Sequence, residues 1–268
     1  SAALTRVLVI ALKEKDAVKL MKRHDTDEDG VLTPLELVPD LLTAAGYPSV
    51  IVGVPGTFPI LRTINGKMVT CFLTPNPQDA LGSDDPIKQY TYPAGLKHTI
   101  RDLVGEYPVD VAGFRTEDKQ WLLDQIREMA DKQFKVVRYL AAAESWKLLW
   151  YVEMGVDRIH HGFWQHHDAQ HHRYEKGNPF ENAIRDHYVR VDRLIGELIE
   201  TCDPSRTAFL VVSDHGAKRM DGGICFNDWL IREGYLVLKE PVSRPTRFDF
   251  KMVDWSQTRA WGEGGYYG

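Results

Sequence analysis

The sequence predicts an α/β fold, a three-layer sandwich whose mainly parallel central sheet is covered by helices on both faces. Three observations predict it. Short apolar runs alternate with amphipathic stretches along the chain, as they do where crossover helices bury parallel strands. The run Phe209-Leu210-Val211-Val212 leads into Ser213-Asp214-His215-Gly216, which sets Asp and His at the end of a buried strand, where α/β enzymes place their chemistry. Leu148 to Met154 reads as a second such strand and leads into Asp157-Arg158-Ile159-His160-His161.

Taken in order, Arg6-Val7-Leu8-Val9-Ile10 reads as a first strand, residues 50–54 and 67–73 as two more, and 207–213 as the clearest of all. Helices are predicted over about 117–142, where Leu122, Ile126, Met129, Val137 and Leu140 recur at helical spacing, and over 180–200, where Ile184, Tyr188, Val191, Ile195 and Leu198 do the same. The Pro- and Asp-rich stretch from Thr74 to Pro93 reads as a long loop or cap insertion. With 268 residues, 43% hydrophobic and 26% charged, the expectation is one domain over 1–268 that buries a full core.

Composition narrows the function classes. A net charge of −5 provides no global basic field for a nucleic-acid polymer. Cys71, Cys202 and Cys225 are an odd, widely spaced set that fits reduced thiols and a cytoplasmic setting better than a disulfide framework. No run approaches the length of a membrane span.

The two Asp/His strand ends point to metal chemistry. Carboxylate oxygen and imidazole nitrogen suit Zn²⁺ or Mn²⁺, and two such ions about 3.5–4 Å apart can clamp the attacking and leaving oxygens of a phosphoryl transfer. Asp157 and His161 are four apart, so on a helix they share a face and can share an ion, with His160 pointing elsewhere. His166, His167, His171 and His172 read as solvent-facing more than as a further metal site, and Phe163 and Trp164 as core or pocket wall. Lys218 and Arg219 can reach a substrate phosphate or simply be solvated.

Asp157-Arg158-Ile159-His160-His161-Gly162-Phe163-Trp164 and Ser213-Asp214-His215-Gly216 resemble the two central metal-binding motifs of the type I phosphodiesterase/nucleotide pyrophosphatase family, within the alkaline phosphatase superfamily. The likeness extends to Val54-Pro55-Gly56-Thr57-Phe58-Pro59, Phe72-Leu73-Thr74-Pro75, Asn227-Asp228-Trp229-Leu230 and Val253-Asp254-Trp255-Ser256. It implies an alkaline-phosphatase-like sandwich with Asp157 and His161 on one ion, Asp214 and His215 on the other, and a small phosphate ester or nucleotide as substrate. The family also uses an Asp just after the first strand, a Thr or Ser nucleophile soon after it and a His near the C-terminus. Here Ile10 continues into Ala11-Leu12-Lys13-Glu14, no nucleophile segment is evident before Leu35, and the last residues are the Gly-rich 262–268. The chain is therefore expected to be truncated or altered at both ends, with weak or no activity by itself.

A separate signal lies at Asp25-Thr26-Asp27-Glu28-Asp29-Gly30-Val31-Leu32-Thr33-Pro34-Leu35-Glu36, within an EF-hand-like segment at 15–45. Asp25, Asp27 and Asp29 stand at positions 1, 3 and 5 of a calcium loop. Gly30 allows the turn at 6, Val31 offers its carbonyl at 7, and Glu36 closes the shell at 12. The reading that follows is a metal-dependent phosphate-ester hydrolase. A calcium-binding regulatory module on a degenerate enzyme scaffold, or a structural fragment, are the alternatives.

Overall fold

The computed structural model describes residues 7–13, 43, 45–60 and 63–262, with the backbone alone at 7–13. The EF-hand-like loop at 25–36 lies outside the described residues. The chain forms two compact units, Ser1–Arg219 and Met220–Gly268.

In the first unit, six strands among the described residues, β1 (Val7–Lys13), β2 (Ser49–Val52), β3 (Gly66–Val69), β4 (Thr91–Tyr92), β5 (Leu148–Glu153) and β6 (Thr207–Ser213), form one sheet in the order β4-β3-β2-β5-β1-β6. β2 runs parallel to β3 and β5, while β1 runs antiparallel to both β5 and β6. Four of these six strands therefore point the same way, as expected of a mainly parallel sheet, with β1 and the edge strand β4 reversed. The reversal of β1 has a direct effect. Val7 lies level with the C-terminal ends of β5 and β6, whereas Lys13 pairs with Thr207 at the start of β6. The C-terminal end of β1 thus opens on the edge of the sheet opposite to the Asp/His motifs.

Side-chain alternation decides the two faces of β5, which is buried throughout. Leu149 and Tyr151 join Val50, Val52 and Val69 against helices α2 (Leu96–Val104), α3 (Lys119–Ala143) and α5 (Ala183–Ile199). Leu148, Trp150 and Val152 pack on the other face with Ile51, Met68 and Ile64. The predicted stripe of α3 is confirmed, since Leu122, Ile126, Met129, Val137 and Leu140 are all fully buried. Asp118 caps this helix by accepting the N–H of Trp121 at 3.0 Å, a contact typically worth about 1 kcal/mol. Buried Gln133 on α3 is satisfied on both sides, donating to the Pro108 carbonyl and accepting from the Tyr151 hydroxyl. A fourth helix, α4 (Gly155–His167), is buried almost all round and packs beside α3 and α5.

Three sequence expectations need correction. β6 is not a buried strand. Among the described residues it is the last strand of the sheet, and Leu210 and Val211 are 47% and 54% exposed. The strand predicted at 67–73 ends at Val69, because the chain turns at 71–74, where the Thr74 hydroxyl donates to the Cys71 carbonyl at 2.6 Å. The stretch from Thr74 to Pro93 is not structureless: it holds helix α1 (Gln78–Leu81), a 3₁₀ turn at Pro86–Lys88 and β4. Buried Lys97 anchors it by donating to the Ser83 carbonyl and the Gln89 side chain at 2.8 Å each.

The second unit has its own small core of Leu230, Leu236 and Val253 beneath helix α6 (Phe226–Arg232). Asn227 exchanges two hydrogen bonds with the backbone of Gly262. Among the described residues no helix is long and apolar enough to cross a membrane.

Candidate functional site

β5 delivers the first pair of side chains through its last residue. Glu153 is fully buried and accepts the N–H groups of Gly155 and Val156 at 2.7 and 2.8 Å. Its carboxylate thus satisfies two orphan donors at the positive end of the α4 dipole. Burial outweighs these bonds, and with Asp157 nearby it pushes the Glu153 carboxyl up to about 7.

One turn into α4 stands Asp157, with no exposed surface. Its Oδ1 faces His161 Nε2 at 3.5 Å, across the spacing of four predicted from the sequence. Its Oδ2 accepts from the Arg158 guanidinium at 2.6 Å. Arg158 also grips Asp110 through Nε and a terminal nitrogen at 2.6 and 2.5 Å, and its guanidinium lies 4.3 Å from the centre of the Phe114 ring. The same ring tilts against His161 at 5.9 Å. Asp110 and Phe114 lie in the connection before α3 and carry no pattern visible in the sequence. Arg158 stood in plain view within the motif, but its partners did not.

His160 turns away from this pair, as its place on the helix predicts. Its Nε2 meets the Tyr188 hydroxyl at 3.3 Å, and its ring stands edge-on to Trp164. Burial lowers its pKa to about 4, with Asp157 opposing and the charges of His161, His167 and His215 assisting. Beside it His187 is fully buried, and neither ring nitrogen has a hydrogen-bond partner among the described residues. Burial lowers its pKa to about 3.

The second pair follows β6. His215 Nε2 lies 3.8 Å from Asp214 Oδ2, and His215 Nδ1 lies 3.0 Å from the Gly216 carbonyl oxygen. A carbonyl can only accept, so Nδ1 carries a proton, and in the neutral ring Nε2 keeps its lone pair. That Nε2 is buried and makes no hydrogen bond among the described residues. A ring fixed by a carbonyl at one nitrogen, with its other nitrogen unengaged, is how a metal-ligating histidine is commonly held. The donor chemistry therefore fits a divalent ion at each pair. No group of three or more His, Cys, Asp or Glu side chains positioned to hold a metal occurs among the described residues, so each pair alone offers two of the four ligands that a zinc shell takes. Of the remaining histidines, His166 sits beside Gln165 and Phe180, and His171 stacks on His172.

Phe163 is fully buried and Trp164 partly so, as core residues. Arg219 donates to the Gln170 side chain at 2.5 Å. The hydroxyls of Thr57, Thr70 and Thr74 are buried and bonded to the carbonyls of Val54, Tyr90 and Cys71 respectively, so none of them presents a nucleophilic oxygen. Next to Asp110 opens a pocket of about 650 Å³ walled in part by Phe72, Tyr107, Trp121 and Lys132, within the size range of small-ligand sites.

Comparison with curated proteins and with solved structures returns no match. A family model, described as type I phosphodiesterase / nucleotide pyrophosphatase, matches residues 13–263. That span takes in both Asp/His motifs, their supporting strands and the whole of α3 to α6, and the chain belongs to the type I phosphodiesterase/nucleotide pyrophosphatase family.

Proposed function

We propose that this phosphodiesterase-family hydrolase acts on phosphate esters with two divalent ions, Zn²⁺ or Mn²⁺, one held by Asp157 and His161 and the other by Asp214 and His215. The observation that carries the reading is the buried His215 Nε2, which makes no hydrogen bond among the described residues and lies beside Asp214 while the Gly216 carbonyl holds Nδ1. Bound there, such ions would supply charge stabilisation for the phosphoryl oxygens and an activated water. The chain's own contribution is to orient the donors: Asp157 through Arg158, and His215 through Gly216. The pocket beside Asp110 offers room for the ester's organic group. By the family's chemistry the substrate would be a small-molecule phosphodiester or a nucleotide pyrophosphate.

The test is hydrolysis of bis-p-nitrophenyl phosphate with added Zn²⁺ or Mn²⁺. No hydroxyl described above is available as nucleophile, so turnover by this chain is expected to be slow, and Asp214→Ala should remove what there is. Residual turnover unchanged by both Asp157→Ala and Asp214→Ala would refute the reading.

A second reading rests on the loop at 25–36, whose residues match an EF-hand at every diagnostic position. Asp25, Asp27, Asp29, Glu36 and the Val31 carbonyl would bind Ca²⁺ through hard oxygen donors, separately from the imidazole-containing sites.

A further inference from the structure

We propose that Asp110 is a positioning residue for Asp157, acting through Arg158; the inference rests on the metal reading above. Asp157 is completely buried, and its two oxygens have different duties. Arg158 takes Oδ2 at 2.6 Å, which leaves Oδ1 turned toward His161 Nε2. What keeps Arg158 to a single oxygen is Asp110. It occupies Nε and one terminal nitrogen of the guanidinium in a two-pronged contact at 2.6 and 2.5 Å, while Phe114 covers the guanidinium face. The fork is geometrically specific, because two parallel N–H···O bonds fix the plane of the guanidinium as well as its distance.

Asp110 also balances charge. The Arg158 side chain is 6% exposed and that of Asp157 is fully buried, so their charges act on one another with little screening. With Asp110 present, Arg158 is neutralised from the far side and Asp157 retains negative charge for a cation. With Asp110 neutral, more of the Arg158 charge falls on Asp157. The guanidinium is then free to swing its fork onto both carboxylate oxygens, and it opposes an incoming divalent ion.

The experiment measures Zn²⁺ affinity by competition titration and Co²⁺ binding by its visible absorption spectrum, with melting temperature as a control for folding. Asp110→Asn should weaken Zn²⁺ binding about 10- to 100-fold, the usual effect of losing a partner of a metal ligand, and should shift the Co²⁺ spectrum. In an Arg158→Gln background the same substitution should cost less than about threefold, since the residue it acts through is gone. Parent-like affinity in Asp110→Asn, or an equal loss in both backgrounds, overturns the proposal. If Asp110→Asn does not fold, Arg158→Lys carries the test, because it keeps the charge but cannot fork between two carboxylates. It should bind at least about tenfold more weakly, and parent-like binding overturns the proposal. His161→Ala separates the two levels. If it weakens binding while Asp110→Asn does not, only the role of Asp110 is refuted; if the parent takes up no metal, both readings fall.

Discussion

Glu153 and Ser213 stand opposite the same residue, Val7, one on either side of β1. The two Asp/His motifs therefore leave the sheet at one edge, and the charge of His215 is felt at His160 on α4. If the pairs are the metal ligands proposed above, each should contribute to metal uptake. His161→Ala and His215→Ala should each lower Zn²⁺ affinity by at least about tenfold. Calorimetric titration checks this, and unchanged affinity in both variants contradicts the assignment.

The buried titratable groups predict opposing pH dependences. The folded-state pKa of Glu153 is about 7 against an ordinary 4.5, so the folded protein holds this proton more tightly. Stability from this group is complete below pH 4.5 and is lost as pH rises through 7, on the order of 3 kcal/mol. Glu153→Gln should abolish that slope in urea titrations between pH 5 and 8. His187 goes the other way, because its folded pKa of about 3 lies below the ordinary 6.5. Its contribution is present above 6.5 and is lost as pH falls toward 3, amounting to about 2 kcal/mol at pH 5. His187→Leu should therefore raise stability more at pH 5 than at pH 8. An equal effect at both would place the charge elsewhere.

Two glycines are predicted to refuse a methyl group. At Gly66, with φ +148°, a Cβ would lie 1.8 Å from the Ser49 carbonyl oxygen that faces it across β2 and β3. At Gly155 it would lie 2.5 Å from Glu153 Oε1 and 2.8 Å from His187 Nε2. Gly66→Ala should cost about 3 kcal/mol or more, and Gly155→Ala about 1–3 kcal/mol. Denaturant midpoints measure both. Gly155→Ala should also change the pH slope assigned to Glu153, which Gly66→Ala should leave alone.

Calcium binding at 25–36 should depend on Glu36 and be indifferent to the imidazole sites. Glu36→Gln should weaken it without changing Zn²⁺ uptake, and His215→Ala should do the reverse. A single hand of this kind is expected to bind on the order of 10⁻⁴ M or more weakly. Absence of calcium heat at millimolar Ca²⁺ reduces the loop to an acidic turn.

The sequence told most where periodicity and burial coincide. Leu122, Ile126, Met129, Val137 and Leu140 gave α3, and Leu148 to Glu153 gave β5. It misled where one pattern serves two environments. Phe209 to Val212 is as apolar as any interior strand, yet among the described residues β6 lies at the edge of the sheet, and a run of apolar residues does not say how many neighbours it has. Strand direction is likewise unwritten in a pleated pattern, so the reversal of β1 was invisible. In the candidate site, the spacing of Asp157 and His161 was legible because a helix fixes it. The Asp110–Arg158 contact was not, because it spans 48 positions of chain and depends on how a loop returns to α4.

The position of β1 also governs how the molecule must assemble. Among the described residues β5 and β6 touch no common strand but this one, so residues 7–13 must meet partners about 140 and 200 positions away before the edge carrying both motifs exists. Closing loops of that length is entropically slow and rewards the chain only late. The sheet from β4 to β5 can form from the middle of the chain by itself, whereas bringing the 213–216 motif beside α4 waits for the N-terminal strand. A polypeptide emerging from synthesis would thus complete its core, with Asp157 and His161 on α4, before the 213–216 motif joins it.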